Sequence, residues 1–220
     1  MDYSIWDQVD AYCERVDFSF WSEPINALTN LAFLIAALIM WRRSAGMPMA
    51  RALTVVLGCI GVASGLFHTL ATNWAGAADS LSIVVFILLY IFATNRDIWR
   101  LRPWPAFGLM WLFVPYAIPA TLFFSVFTPL GASSAYATVP LLILLEAAFM
   151  WRFAPATARG FVIGAAILCV SITLRTLDEP LCDVLPIGTH FFWHLINAVM
   201  LGWMIEVYRR HLLASPHAPG

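Results

Sequence analysis

The chain contains no lysine: its 12 basic residues are all arginine, and residues of either charge make up only 11% of 220. By contrast, 61% of the residues are hydrophobic and the mean hydropathy is +0.80. One soluble core cannot hide that much apolar surface, so a water-soluble domain is excluded. The formal net charge is −1, and the few charges fall in short clusters between apolar stretches. Such a pattern builds no basic face and implies no nucleic-acid partner. The absence of lysine also points to GC-rich coding and a bacterial source. Residues 1–22 carry Asp2, Asp7, Asp10, Glu14 and Asp17 but no basic start and no continuous apolar run, which argues against a cleaved signal peptide. No repeat or linker interrupts the remainder of the chain.

What is present is a series of long apolar stretches. A helix needs about 20 apolar residues to cross roughly 30 Å of hydrocarbon, where only helices or closed barrels satisfy their own backbone. Seven segments qualify: Pro24–Trp41, Arg51–Leu70, Ala78–Thr94, Trp104–Phe127, Ala135–Trp151, Gly160–Leu174 and Ile187–Tyr208. The expected fold is therefore all-α, a polytopic seven-transmembrane helix bundle forming one domain over residues 1–220. It divides into an acidic amino-terminal segment (1–23), the bundle (24–211) and a tail (212–220). Pro115 and Pro119 predict a kink in the fourth span.

Arginine marks alternate connections. Arg42, Arg43 and Arg51 flank the first, Arg96, Arg100 and Arg102 the third, Arg152 and Arg159 the fifth, and Arg209 and Arg210 the tail. The positive-inside rule sets these in the cytoplasm, with the amino terminus outside, the carboxyl terminus inside and, for a bacterium, the opposite face towards the periplasm.

The polar residues within or beside the spans concentrate on that outer side. Ser64 and His68 are four apart on one face of the second span. Asp79 opens the third span, and His190 and His194 open the seventh at the same four-residue spacing. Three imidazoles at one depth, with a fourth position open, suit a catalytic zinc ion better than a structural one. Asp79 is placed to move protons, and Ser64 to orient it or a water. Other roles suit the same residues: histidines can be hydrogen-bonded packing groups, Asp79 a helix cap, and Ser64 a partner of its own backbone. His211 and His217, in the polar tail, are expected to be solvated.

Two further features belong to the outer face. Asp10, Glu14, Asp17 and Glu23, close to Asn26 and Asn30, offer oxygen ligands of the kind a hard cation such as calcium prefers. The alternative is an acidic terminus supplying helix caps. Cys13 and Cys182 fall where an oxidising compartment permits either a disulfide or two free thiols, whereas Cys59 and Cys169 lie inside spans as small apolar residues.

Taken in order, Tyr12-Cys13-Glu14, Glu23-Pro-Ile-Asn26-Ala-Leu-Thr-Asn30, Ser64-x-x-x-His68, Asp79 and His190-x-x-Trp193-His194 span nearly the whole chain. In this respect the sequence resembles the alkaline ceramidases and their wider superfamily, which includes the adiponectin and progestin receptors. The resemblance implies a seven-helix hydrolase that cleaves the N-acyl amide of ceramide-like lipids to a sphingoid base and a fatty acid. It implies zinc on His68, His190 and His194, with Asp79 and Ser64 serving catalysis and Trp193 a candidate for substrate contact. It also implies calcium on the acidic segment and a Cys13–Cys182 bridge. The acidic segment is shorter here, and Val16 stands where an oxygen-bearing side chain is expected, with Asp17 beside it. Other occupants of such a site are a phospholipid or acyl-ester substrate, a haem held by His68 and His194, or a lipid that is bound without turnover.

Overall fold

The computed structural model describes residues 4–214; Met1 to Tyr3 and residues 215–220, which include His217, lie outside the described residues. Among the described residues there is no β-strand, only a single antiparallel bridge between Gln8 and Thr72. Seven helices are long and apolar enough to cross a membrane: α1 Pro24–Arg43, α2 Pro48–Leu70, α3 Asn73–Ile98, α4 Pro103–Phe127, α5 Gly131–Met150, α6 Pro155–Thr176 and α7 His190–Ala214. Proline sits at the first turn of α1, α2, α4 and α6, where its missing N–H is harmless and its fixed φ favours the helix.

α7 is the most buried helix and packs against α1, α2 and α6; α4 is the least buried and touches the bundle through α3 and α5. Phe33, Leu53, Leu57, Ile60, Phe161, Met204 and Ile205 form the middle of one shared apolar core. The α6–α7 contact is close because of Gly164, where a Cβ would fall 2.4 Å from the sulfur of Met204. Outward, the helices present Ile35, Leu38, Val62, Leu81, Ile118, Phe123 and Val199, a surface suited to hydrocarbon and not to water.

Two features of the spans, the kink expected in the fourth and a longer sixth, have local causes. The fourth span stays one span but turns at Trp111 and Leu112 between two helical pieces. Pro115 explains the position: it cannot donate to the carbonyl of Trp111, and its ring crowds that same carbonyl. Pro119 sits inside the following helix. The sixth span is longer at both ends than expected, running Pro155–Thr176, because Arg159 and Arg175 lie within the helix and do not bound it.

Candidate metal centre

The bundle has two chemically different ends. Ten arginines gather at the end formed by the α1–α2, α3–α4 and α5–α6 connections and the close of α7; only Arg15 and Arg175 lie at the other. That second end carries the histidines. His68 is in the last turn of α2 and His190 and His194 are in the first turns of α7, all three at most 2% exposed. One ligand atom from each of the three lies within 4.8 Å of the others. Ring centroids are 4.6 Å apart for His68 and His194, 4.7 Å for His190 and His194 and 5.1 Å for His68 and His190. A haem needs its two imidazoles on opposite faces of a macrocycle; rings packed this closely, with a third alongside, suit one small ion instead.

For His68 and His194 a partner fixes which nitrogen is free. The Nδ1–H of His68 donates to Glu23 Oε2 at 2.6 Å, so its Nε2 carries the lone pair. Thr29 Oγ1 donates to the carbonyl of Ile25 at 2.8 Å and accepts from Nδ1 of His194 at 2.9 Å, which again leaves Nε2 as the lone-pair nitrogen. Nε2 of His68, Nε2 of His194 and Nδ1 of His190 are buried without any hydrogen-bond partner. Three orphaned imidazole nitrogens around one point are what a zinc ion requires, and the residues present fit it.

Glu23 is held in turn. Arg15, 1% exposed, reaches its Oε1 through Nε at 2.5 Å and spends its other nitrogens on the carbonyls of Asp17 at 2.9 Å and His68 at 3.1 Å. Burial would push the Glu23 carboxyl up, but the hydrogen bond and charge of His68, with those of Arg15, outweigh it and hold it below the usual carboxylate range. The result is a guanidinium–carboxylate–imidazole chain that ends at the candidate ion.

The amino-terminal segment covers this end. Val9 N donates to Ala71 O at 2.7 Å and Asn73 N to Asp7 O at 3.0 Å, tying the segment to the α2–α3 turn. Tyr12 stacks on His190 with centroids 3.6 Å apart, and burial pushes its phenol above the ordinary value, so it stays neutral. Cys13 and Cys182 form a disulfide. Asp178 secures the same junction: Oδ1 accepts the amides of Thr189 at 2.6 Å and His190 at 2.8 Å, capping α7, while Oδ2 accepts the amide of Cys13 at 3.1 Å. At Gly188 (φ +62°) a Cβ would fall 2.0 Å from that Oδ1, so glycine is required there.

Ser64 and Asp79 face each other beside the ligands, and Oδ1 of Asp79 is a fourth buried atom without a partner. Both line a cavity that runs from the metal end into the bundle. Its other walls include Phe33, Ile60, Ile83, Phe86, Trp193 and Met204, almost all hydrocarbon. Trp193 stacks edge-on against Tyr136 with centroids 4.8 Å apart, under the guanidinium of Arg175.

Not every candidate converges. Glu14 accepts the amides of Ile25 at 2.7 Å and Asn26 at 2.8 Å, capping the start of α1, Glu23 serves His68, and Asp10 and Asp17 are exposed. Among the described residues these four carboxylates do not gather around one point as the histidines do. His211, expected to be solvated, is half-buried and its Nδ1 lies 2.8 Å from Thr157 Oγ1. Arg15, Thr29, Arg175, Asp178 and Asn197 are not singled out by the sequence. For Arg15 and Arg175 a signal exists, since both break the arginine asymmetry by lying at the histidine end.

These features define a seven-helix bundle of membrane type with a buried three-histidine cluster and, next to it, an apolar cavity that Ser64 and Asp79 line. The sequence matches the Ceramidase family over residues 9–216, and the chain belongs to that family. Membership implies a hydrolase acting on amides, with ceramide as the lipid substrate. No curated protein matches the chain.

Proposed function

We propose that this protein is a zinc-dependent intramembrane amidohydrolase that cleaves the N-acyl amide of ceramide-like lipids. The observation that carries the reading is the set of three orphaned imidazole nitrogens together with an orphaned oxygen of Asp79, whose side chain lines a hydrocarbon-walled cavity. His68, His190 and His194 would hold the ion. When bound, zinc supplies Lewis acidity, polarising a carbonyl and lowering the pKa of water to roughly 7. The chain's own residues do the rest. Glu23 and Thr29 keep the Nδ1 positions of His68 and His194 protonated and the rings fixed in aim. Asp79 takes the proton of the attacking water and returns it to the leaving amine, with Ser64 holding its carboxylate in place. The cavity receives a lipid chain from the bilayer and excludes bulk water. By the arginine asymmetry, this end faces the periplasm of a bacterial inner membrane.

The same reading assigns the positive charge at the acidic segment to Arg15 and not to calcium. Glu14 is committed to two amides and Glu23 to Arg15 and His68, so the residues do not fit a divalent ion. Calcium chelation is expected to leave turnover unchanged.

The test is metal analysis of detergent-purified protein with mass spectrometry of products from mixed lipids. Stoichiometric zinc and release of fatty acid from ceramide are expected, both lost in His68→Ala and His194→Ala. Retained zinc and retained turnover in those variants would refute the reading. Release of fatty acid only from phospholipids or acyl esters would keep the centre and change the substrate.

A further inference from the structure

α7 carries a third polar residue inward on the face of its two histidines. Asn197 follows His194 by three positions and His190 by seven, which sets it about 4.5 Å further along the axis on the same side. It is 6% exposed, it lines the cavity together with Ser64, Asp79 and Trp193, and its Oδ1 is buried without a hydrogen-bond partner. No side chain lining the cavity donates to it. The hydroxyl of Tyr90 donates to the carbonyl of Met204 at 3.0 Å, Tyr136 packs edge-on against Trp193, and Phe33, Ile60 and Leu201 offer only hydrocarbon.

A buried amide oxygen with no donor is costly, and in a cavity built to receive a ligand the missing donor belongs on the ligand. The depth of Asn197, one helical step beyond the ligands, matches a group a few bonds from the carbonyl that is cleaved. Such a lipid carries two classes of donor, the amide N–H and hydroxyls; the N–H belongs to the scissile amide beside the histidines, which leaves a hydroxyl for the position further along the cavity. We propose that Asn197 is a specificity residue that accepts a hydrogen bond from a lipid hydroxyl near the scissile amide, so that the enzyme selects hydroxylated lipids over otherwise identical ones. The proposal rests on the amidohydrolase reading for its substrate class. A site that pairs a buried polar group with a substrate hydroxyl discriminates against the analogue lacking it, because the group is then left unpaired.

A hydroxyl that follows a hydrocarbon chain into the cavity lies on the base, at carbon 3, or on the acyl chain, at carbon 2; that at carbon 1 ends the head group and leads no chain. Two pairs of synthetic amides separate them: N-acyl sphingosine against its 3-deoxy analogue, and a 2-hydroxyacyl amide against the unhydroxylated one. In one pair the zinc-loaded enzyme is expected to prefer the hydroxylated member by about 10- to 100-fold in kcat/KM. Asn197→Leu brings that ratio to about one, whereas Asn197→Asp, isosteric and still an acceptor, keeps a preference. Should the leucine variant fail to retain zinc, Asn197→Ala replaces it. The same comparison is made without turnover, as lipid retained by the Asp79→Asn protein in native mass spectrometry. A hydroxyl preference in retention that Asn197→Leu removes upholds the role of Asn197 even if no amide is cleaved and the amidohydrolase reading falls. Equal handling of both members in both pairs, or a preference that survives Asn197→Leu, overturns the proposal.

Discussion

Each end of the bundle contains a buried carboxylate tied to arginine, and the two clusters are built to different purposes. At the arginine-rich end, Glu206 accepts from Arg43, Arg209 and Arg210 at 2.7 to 3.1 Å. Both of its oxygens are saturated, and the three side chains that supply the donors reach to the surface. Such a cluster ties α1 to α7 and asks for nothing more. At the other end, Arg15 and Glu23 are 1% and 3% exposed, and what they hold in place is a ring whose remaining nitrogen has no partner. Burial and charge are present in both clusters; what sets the second apart is that the ring it holds ends on an unpartnered nitrogen with two more imidazole nitrogens beside it.

The contrast can be broken at four places. The largest effect is expected for His194→Ala, which removes a ligand and should abolish both zinc retention and amide turnover, read by elemental analysis and product release. Asp79→Asn comes next: it keeps zinc but removes the proton carrier, and kcat should fall by about 10²- to 10⁴-fold. Glu23→Gln leaves the ligands intact and weakens only the aim and basicity of His68, so zinc affinity should drop by about 10- to 100-fold, with Arg15→Met acting in the same direction through Glu23. The smallest effect on function belongs to the opposite end. Glu206→Gln should lower thermal stability by about 1–3 kcal/mol while zinc content and turnover stay at the level of the unaltered protein. Loss of zinc in Glu206→Gln, or none in Glu23→Gln, would erase the distinction between the two ends.

The helices are legible in the sequence because hydropathy over about 20 residues is a local property, and the ligands are legible because the four-residue spacing of His190 and His194 is local too. What stays hidden is non-local. Thr29 meets His194 across 165 residues and Glu23 meets His68 across 45, so neither pairing leaves a trace in spacing. Glu14 and Glu23 read with Asp10 and Asp17 as ligands for a hard cation only while their neighbour Arg15 is left out of the account. Arg15, buried against Glu23, is itself the counter-charge there. In the sequence Asn197 is one amide in an apolar helix; its meaning lies in the missing partner, which only the packed bundle reveals.

The junction of Cys13, Asp178 and His190 has a consequence for how the protein is made. Cys13 emerges early in synthesis and Cys182 169 residues later, and two of the three imidazoles are on the last helix to enter the bilayer. Until that helix is seated, the nascent chain has one histidine and no clasp. The three-histidine cluster is therefore complete only once α7 has packed against α1 and α2.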